Sequence, residues 1–259
     1  MKTLPFILIL CLTSIWQFSF SQTKTDSLIK ELCGAEFYPF VNQSKEALVN
    51  LGKDAIPQLI ELVKDTSYVK LKNTADLIYP GATNYYGHGY IIPYDIDWIF
   101  VRAGWVLEEL TFEDFGFNQH PGQKNDLLYL LEYNRQLENS EKNTNPADFM
   151  DSTELEELME YREQLATKVE KWWREKGEGW NRFEAIKSAL RSNSSIRQRK
   201  ALHFLRFEKT ICKGLNRESY DKELKPLVMR LTSNGKDGVE KQAQLLLQDR
   251  VYYWLKNKK

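Results

Sequence analysis

The sequence has few of the residues that build disulfide frameworks, metal clusters and nucleic-acid interfaces. It contains three cysteines and three histidines, and its 36 basic residues are balanced by 36 acidic residues. A protein that holds nucleic acid by its phosphates needs a basic excess, so we expect no nucleic-acid partner. The sequence also lacks an HExxH motif, paired CxxC motifs, a calcium-binding loop and the GxSxG turn of hydrolases. These absences predict that the protein works without a cofactor.

Long apolar runs are missing after the first residues of the chain. At the N-terminus, Lys2 precedes an apolar run from Leu4 to Leu12 and a polar stretch that ends in Ser19-Phe20-Ser21. This pattern is typical of a signal peptide, and the run is shorter than the roughly 20 residues that a membrane-spanning helix needs. We therefore expect residues 1–21 to be removed. The mature protein is then exported to the periplasm or the exterior of a bacterial cell, without stable membrane insertion.

Two cysteines, Cys33 and Cys212, remain after this cleavage. An exported compartment permits a disulfide between them, which would close a long loop and stabilise the fold by roughly 4 kcal/mol. The alternative is two separate buried thiols that act as small apolar side chains. The sequence leaves both alternatives open.

The clearest structural unit lies between Lys45 and Asp65. Gly52 is expected to end a first helix, Asp54 to cap the next, and Pro57 to lie in the first turn of that second helix. Apolar residues at helical spacing then predict the buried face of the second helix: Ile56, Leu59, Ile60 and Val63. Because the turn is so short, the two helices are expected to be antiparallel.

This unit resembles the HEAT-repeat family, whose repeats often read Ala-Leu, Leu-Gly, Ala-Ile-Pro and Leu-Ile, as residues 47–60 do. A second, weaker unit with helical spacing spans Ser195 to Asp249. The resemblance implies an all-α fold in which antiparallel helix pairs stack as an irregular solenoid. It also implies a scaffold that binds other molecules, and it brings no catalytic residues with it.

The segment from Trp98 to Leu110 is apolar almost all round, so we expect it to be the most buried helix. Arg102 lies within it, and a buried guanidinium is expected to pair with a carboxylate. Asp95, Asp97 and Asp114 are the candidates. A structural ion pair is favoured over an anion-binding site.

A long amphipathic helix is predicted from Asp151 or Ser152 to about Lys176, and the glycines within residues 177–179 are expected to end it. This break divides the chain into an N-terminal helical part, residues 22–176, and a C-terminal helical part, residues 180–259, which can be continuous with the first. The order of a helix, a Phe-Gly turn and a tryptophan-rich helix resembles that of exported HEAT-like proteins. The resemblance implies structural roles for Thr111, Phe115, Gly116, Trp172 and Trp173.

Residues 79–97 depart from the helical pattern, because tyrosine, glycine and proline are concentrated there. They predict a loop or a short hairpin, and loops on a rigid scaffold often carry function. The candidates for contact with a partner are Tyr85, Tyr86, His88, Tyr90 and Tyr94. The alternative is that these tyrosines fill gaps between helix pairs.

Imidazole and carboxylate side chains in and after this loop form a weak candidate set for a metal ion: His88, Asp95, Asp97 and His120. Their spacing matches no metal-binding motif, so no metal is predicted.

The favoured function is an exported, non-enzymatic helical scaffold that binds a protein partner in the cell envelope. The alternative is a hydrolase or carbohydrate-active protein that uses residues 79–97, with His88 and Asp95 or Asp97 as acid, base or metal ligands. A third hypothesis is an immunity-type protein that neutralises a toxin through the acidic helix at residues 154–163.

Overall fold

The computed structural model describes residues 24–82, 89–118, 152–208, 212–236 and 238–249. Most of these residues are helical, and the strands are two residues long, so the all-α class is confirmed. The stacking of helix pairs as a HEAT-like solenoid stays a prediction. The expected signal peptide lies outside the described residues, and so do four of the candidate site residues: Tyr85, Tyr86, His88 and His120.

Three helices precede the strands. Helix α1 covers residues 24–34, α2 covers Tyr38–Leu51 and α3 covers Ile56–Leu62, with a 3₁₀ turn at Gly52–Ala55. Gly52 ends α2 as predicted, with a φ of 68° that favours glycine. The capping role predicted for Asp54 is wrong, because the chain stays helical through the 3₁₀ turn and Ala55 is the residue that precedes α3.

Two short strands, β1 (Leu77–Ile78) and β2 (Tyr90–Ile91), pair in parallel. Leu77 is opposite Tyr90, and Ile78 is opposite Ile91. Of the two predicted alternatives, a loop or a short hairpin, the hairpin is therefore wrong, since a hairpin joins antiparallel strands.

Helix α4, Ile99–Thr111, is the buried centre of the N-terminal part and packs on α2 and α3. Eleven of its thirteen residues are buried, as its apolar sequence predicts. It ends at Phe112, whose positive φ of 58° is unusual for a side chain of that size. The ring of Phe112 packs with residues of the C-terminal part, edge to face on Phe204, with 5.4 Å between the ring centroids.

The long helix predicted to end near Lys176 is present, and shorter helices follow it. Helix α5 covers Ser152–Lys176, and a turn at residues 177–179 ends it. After this turn come α6 (Arg182–Arg191), α7 (Ser195–Phe207), α8 (Arg217–Ser219), a π-helical turn (Tyr220–Leu224), α9 (Lys225–Asn234) and α10 (Val239–Gln248). Asn181, Ser194 and Asn216 cap α6, α7 and α8 with their side-chain oxygens.

The buried apolar side chains form two clusters. The first contains residues between Leu32 and Val169, and the second contains Phe112 together with residues between Phe183 and Leu246. Cys33 packs against the first cluster and Cys212 belongs to the second. Both cysteines are free thiols in the structure.

Candidate functional site

The loop around the two strands is anchored on the carboxylate of Asp97, which has no exposed surface. Oδ1 of Asp97 accepts the backbone N–H of Leu71 at 2.8 Å and the hydroxyl of Tyr79 at 3.1 Å. The ammonium of Lys70 lies 3.0 Å from Oδ2 and also donates to the carbonyl oxygen of Gly81. Lys70 and Leu71 precede β1 and Tyr79 follows it, so this one carboxylate joins the chain on both sides of β1 to the residues after β2.

Asp95 lies beside Asp97. A Cβ atom added at Gly81 would collide with Oδ1 of Asp95 and with Oδ2 of Asp97, so both carboxylates converge on this glycine. Burial, followed by the negative charge of Asp97, raises the pKa of Asp95 to about 7, and Lys70 opposes the rise. Oδ1 of Asp95 is buried and has no hydrogen-bond partner among the described residues.

The ammonium of Lys70 forms an ion pair with Asp97, and Lys70 and Arg102 both lower the pKa of Asp95 and of Asp97 against the effect of burial. Within the described ranges, no three His, Cys, Asp or Glu side chains are grouped so that they could hold a metal ion. Of the weak metal set, the structure therefore brings together Asp95 and Asp97, while His88 and His120 lie outside the described residues.

Arg102 has the buried structural role that its sequence position suggests, but the predicted carboxylate partner is wrong. Its guanidinium donates to four backbone carbonyl oxygens. Nη1 donates to Leu32 at 2.9 Å and to Ala35 at 2.8 Å. Nη2 donates to Val69 at 2.8 Å, and Nε donates to Ile96. The first two carbonyls are at the end of α1, where helical carbonyls have no intrahelical partner. Arg102 thus ties α1 and both sides of the loop to α4.

Tyr94 is a buried support, and a partner has no access to it. Its hydroxyl donates to Oε2 of Glu108 at 2.7 Å, and its ring stacks on Trp105 with 5.8 Å between centroids. Oε1 of Glu108 accepts the backbone N–H groups of Phe115 and Gly116 at 2.7 and 2.8 Å. The hydroxyl of Tyr94 is therefore bonded to a buried carboxylate that also holds the turn after α4.

The strand β2 is the part of the loop that faces solvent. Tyr90 is 74% exposed and Ile91 is 77% exposed, and because successive strand residues alternate, both faces of the strand are open. The N–H of Tyr90 donates to the carbonyl of Asp76 at 2.8 Å, and the N–H of Ile92 donates to Ile78 at 2.9 Å. These bonds hold β2 against β1. Tyr90 and Ile91 together are named the β2 surface here.

Three carboxylates come from three different helices: Glu46 on α2, Glu109 on α4 and Glu208 at the end of α7. Burial raises the pKa of Tyr38, and the charges of Glu109 and Glu46 and the neighbouring Tyr90 raise it further. Burial also raises the pKa of Glu208, Glu109 and Glu46 add to the rise, and Lys45 and Arg182 oppose it. Glu46 and Glu109 thus act on both Tyr38 and Glu208, and we name Glu46, Glu109 and Glu208 the acidic rim.

Lys45 neutralises one member of the rim. Its Nζ lies 2.6 Å from Oε2 of Glu109 and 4.7 Å from the ring centroid of Trp105. The Lys45 side chain is 8% exposed and that of Glu109 is 25% exposed, so the negative partner is nearer to solvent. In the described part of the chain, no ion pair joins Glu46 or Glu208 to a cation.

His203 on α7 borders the acidic rim. Its ring lies 5.0 Å from that of Phe207, which is 48% exposed. Burial lowers the pKa of His203, while Glu109 opposes the change. The neutral imidazole is therefore the favoured form at neutral pH.

Sequence reasoning missed Ile91 and the acidic rim. Tyr38 and Lys45 are seven residues apart, so the sequence shows that they share one face of α2. The meeting of α2, α4 and α7 at one place depends on tertiary packing, and nothing in the local pattern signals it.

Another concave region, of about 620 Å³, lies between α1 and α2. It is lined by Phe37 and Phe40, whose rings meet edge to face with 6.3 Å between centroids. Lys30 and Glu31 also line it, so its charges are mixed and indicate no particular ligand.

Comparison with protein-family models, with curated proteins and with solved structures gives no match to this chain. Among the described helices, none is long and apolar enough to cross a membrane.

Proposed function

We propose that this protein is an exported, non-enzymatic helical scaffold that binds a protein partner in the cell envelope through the β2 surface. The observation that carries the proposal is the exposure of Tyr90 and Ile91 side by side on a strand with two open faces. Burying such side chains against a partner is favourable, and tyrosine is enriched where proteins meet. Export is part of the proposal and rests on the signal-peptide pattern of residues 1–21.

The supports beneath the β2 surface favour binding, because a rigid contact loses little conformational freedom when a partner arrives. Asp97 fixes the chain before and after β2, Arg102 ties it to α4, and Tyr94 anchors it on Glu108. The polar groups of Asp97, Arg102 and Tyr94 are thus engaged in holding the loop. Tyr90 and Ile91 are the most exposed of the large apolar side chains in the described residues.

The experiment is a quantitative pull-down from cell-envelope extract. The bait is the signal-cleaved protein, either unchanged or carrying both Tyr90→Ala and Ile91→Ala. We expect one or more proteins that the unchanged bait retains to be lost with the double variant. Identical sets of bound proteins would contradict the proposal.

The matched control is Met229→Ala on α9, because Met229 is also a large exposed apolar side chain, at 55%. Circular dichroism and thermal melting of all three proteins check that each is folded. A loss of partners with Met229→Ala as well would show a general effect of removing surface apolar groups, and would also contradict the proposal.

A hydrolase or carbohydrate-active role is the second candidate. The observation in its favour is the convergence of Asp95 and Asp97, since a carboxyl group with a pKa near 7 suits general acid catalysis. It ranks second because Asp97 is fully buried and occupied by its own donors. Chromogenic glycosides and esters, tested with the unchanged protein and with Asp95→Asn, decide it: no hydrolysis, or equal hydrolysis by both proteins, eliminates this role.

A further inference from the structure

We propose that the partner contributes an extended segment that pairs as a third strand with the free edge of β2, through hydrogen bonds to the backbone of Ile91. The inference rests on the proposed function and specifies how the partner is bound. In this mode of binding, main-chain hydrogen bonds supply affinity and the neighbouring side chains supply specificity.

The register of the two strands determines which backbone groups of β2 are free. Leu77 is opposite Tyr90 and Ile78 is opposite Ile91, and the N–H groups of Tyr90 and Ile92 donate to carbonyl oxygens of the β1 segment. In a parallel pair, the residue between two bonded positions directs its N–H and C=O to the opposite side. The N–H and C=O of Ile91 therefore point away from β1, and within the described ranges neither has a hydrogen-bond partner.

The outer edge of β1 is closed to such pairing. The N–H of Leu77 donates to the carbonyl of Thr74 at 2.8 Å, so a turn of the same chain already uses this donor. Leu77 is also buried, with 4% exposure, whereas Ile91 is 77% exposed. A third strand can therefore join this sheet at β2 and not at β1.

Pro93 limits the length of the free edge. Proline has no backbone N–H, so β2 offers no donor at the next outward-facing position after Ile91. A long edge with many free donors would pair with strands of any other chain, and proline is one of the features that prevent this. The edge therefore fits one short segment of a partner.

The strand β2 is held in the conformation that a third strand requires. A Cβ atom added at Gly89 would overlap the backbone of Asp76, so β2 begins in close contact with the chain before β1. The N–H groups of Tyr90 and Ile92 then fix the strand on both sides of Ile91. The free N–H and C=O are thus aligned before a partner binds, which reduces the entropy lost on binding.

The side chains of the β2 surface indicate which residues the segment contains. Tyr90 and Ile91 point to opposite faces of the strand and both are exposed, so an added strand places side chains beside each of them. Aromatic and β-branched residues form the favourable cross-strand pairs with such neighbours. We therefore expect a short extended segment rich in threonine, valine, isoleucine or aromatic residues.

The test uses a synthetic peptide of alternating threonine and valine with a lysine at each end, and the same peptide N-methylated at every threonine and valine. NMR titration of the isotope-labelled protein measures weak binding at each residue. In the free protein, we expect the amide of Ile91 to exchange with solvent faster than those of Tyr90 and Ile92. With the unmethylated peptide, we expect saturable shifts at Ile91 and exchange of its amide slowed by about threefold or more.

The variants Ile91→Pro and Ile91→Ala form a matched pair. Both remove the isoleucine side chain, but only proline removes the outward-facing N–H, and an edge strand tolerates proline where the N–H faces solvent. We expect the Kd of the unmethylated peptide to be about three- to tenfold higher for Ile91→Pro than for Ile91→Ala, as the loss of one hydrogen bond predicts. Circular dichroism and slow exchange of the Ile92 amide check that β2 stays paired with β1.

Three results would overturn the inference: no saturable binding of the unmethylated peptide, equal binding of the methylated peptide, or equal Kd values for the two Ile91 variants. If Ile91→Pro does not fold, the comparison of the two peptides on the unchanged protein still decides. If the pull-down shows partners that depend on Tyr90 and Ile91 although the peptide test fails, only the strand pairing is wrong. If the pull-down shows no such partners either, the scaffold proposal fails with it.

Discussion

Lys200 on α7 reaches across the boundary between the two apolar clusters and contacts Glu108 on α4, with 2.8 Å between Nζ and Oε2. Glu108 is completely buried, and its other oxygen accepts backbone N–H groups of residues 115–117. One carboxylate therefore connects α4, the turn after it and the C-terminal helices. The two clusters are expected to unfold together because they share this group.

We expect Glu108→Gln to lower the free energy of unfolding by about 3–5 kcal/mol, because the new amide N–H₂ would face the donors of Tyr94 and Lys200. Lys200→Met should cost less, about 1.5–3 kcal/mol, since Glu108 keeps its other donors. Urea unfolding followed by circular dichroism measures both. The control is Glu163→Gln, because the carboxylate of Glu163 is exposed. A decrease in the free energy of unfolding of less than about 1 kcal/mol for Glu108→Gln would contradict this account.

Gly104 on α4 lies against the ring of Phe117, and a Cβ atom there would overlap the ring. We expect Gly104→Ala to lower the free energy of unfolding by about 1–3 kcal/mol through overpacking. Gly34→Ala is the matched control, because no atom lies within 4 Å of its added Cβ and alanine favours the helix by about 1 kcal/mol. The two substitutions should shift the thermal midpoint in opposite directions, and a shift of the same sign would show that the contact with Phe117 is not tight.

Asp95 should make stability depend on pH. Its pKa of about 7 in the folded protein is above the ordinary value near 3.9, so between these pH values the folded state binds a proton that the unfolded state has lost. The free energy of unfolding then falls as pH rises from about 4 to about 7, by up to about 3 kcal/mol. Asparagine has no carboxyl proton to lose, so Asp95→Asn should remove most of this decrease in the free energy of unfolding.

Urea unfolding at a series of pH values measures this difference. Asp26→Asn on α1 is the control, since Asp26 is exposed and its removal should leave the pH dependence of the unchanged protein in place. Parallel curves for the unchanged protein and for Asp95→Asn would mean that Asp95 is ionised in the fold throughout.

Burial raises the pKa of Cys33 and of Cys212 to about 11. Because the thiolate is the reactive form, we expect both to react slowly with iodoacetamide in the native protein and quickly in urea. Mass spectrometry should count two added groups after unfolding without reductant. No added group would instead support the disulfide that the exported compartment permits.

The sequence was most informative where one local signal decides the structure. Gly52 ends α2 because its φ favours glycine, and the apolar segment that contains Gly104 became the buried helix α4. The hairpin prediction was wrong because the relative direction of two strands depends on tertiary structure, which no local sequence pattern shows. The predicted carboxylate partner of Arg102 was wrong for a related reason, since backbone carbonyls from distant segments carry no sequence signature.

The candidate site was predicted in part. Tyr90 and Asp97 were identified by the tyrosine, glycine and proline content of their loop, although the exposure of one and the burial of the other had to come from the fold. Glu46 and Glu208 look like ordinary charged positions on separate helices, so only tertiary packing shows that Glu46 raises the pKa of Glu208.

The four carbonyl oxygens around Arg102 have a consequence for how this chain can change in evolution. Main-chain oxygens are present whatever residue occupies a position, so the arginine places no demand on the side chains at residues 32, 35, 69 and 96 beyond their own packing. Lysine cannot replace it, because one ammonium lacks the planar fork that reaches several carbonyls at once. Among natural variants, Arg102 should therefore stay constant without a covarying acidic residue, and the surrounding loop can diverge in sequence while it keeps its shape.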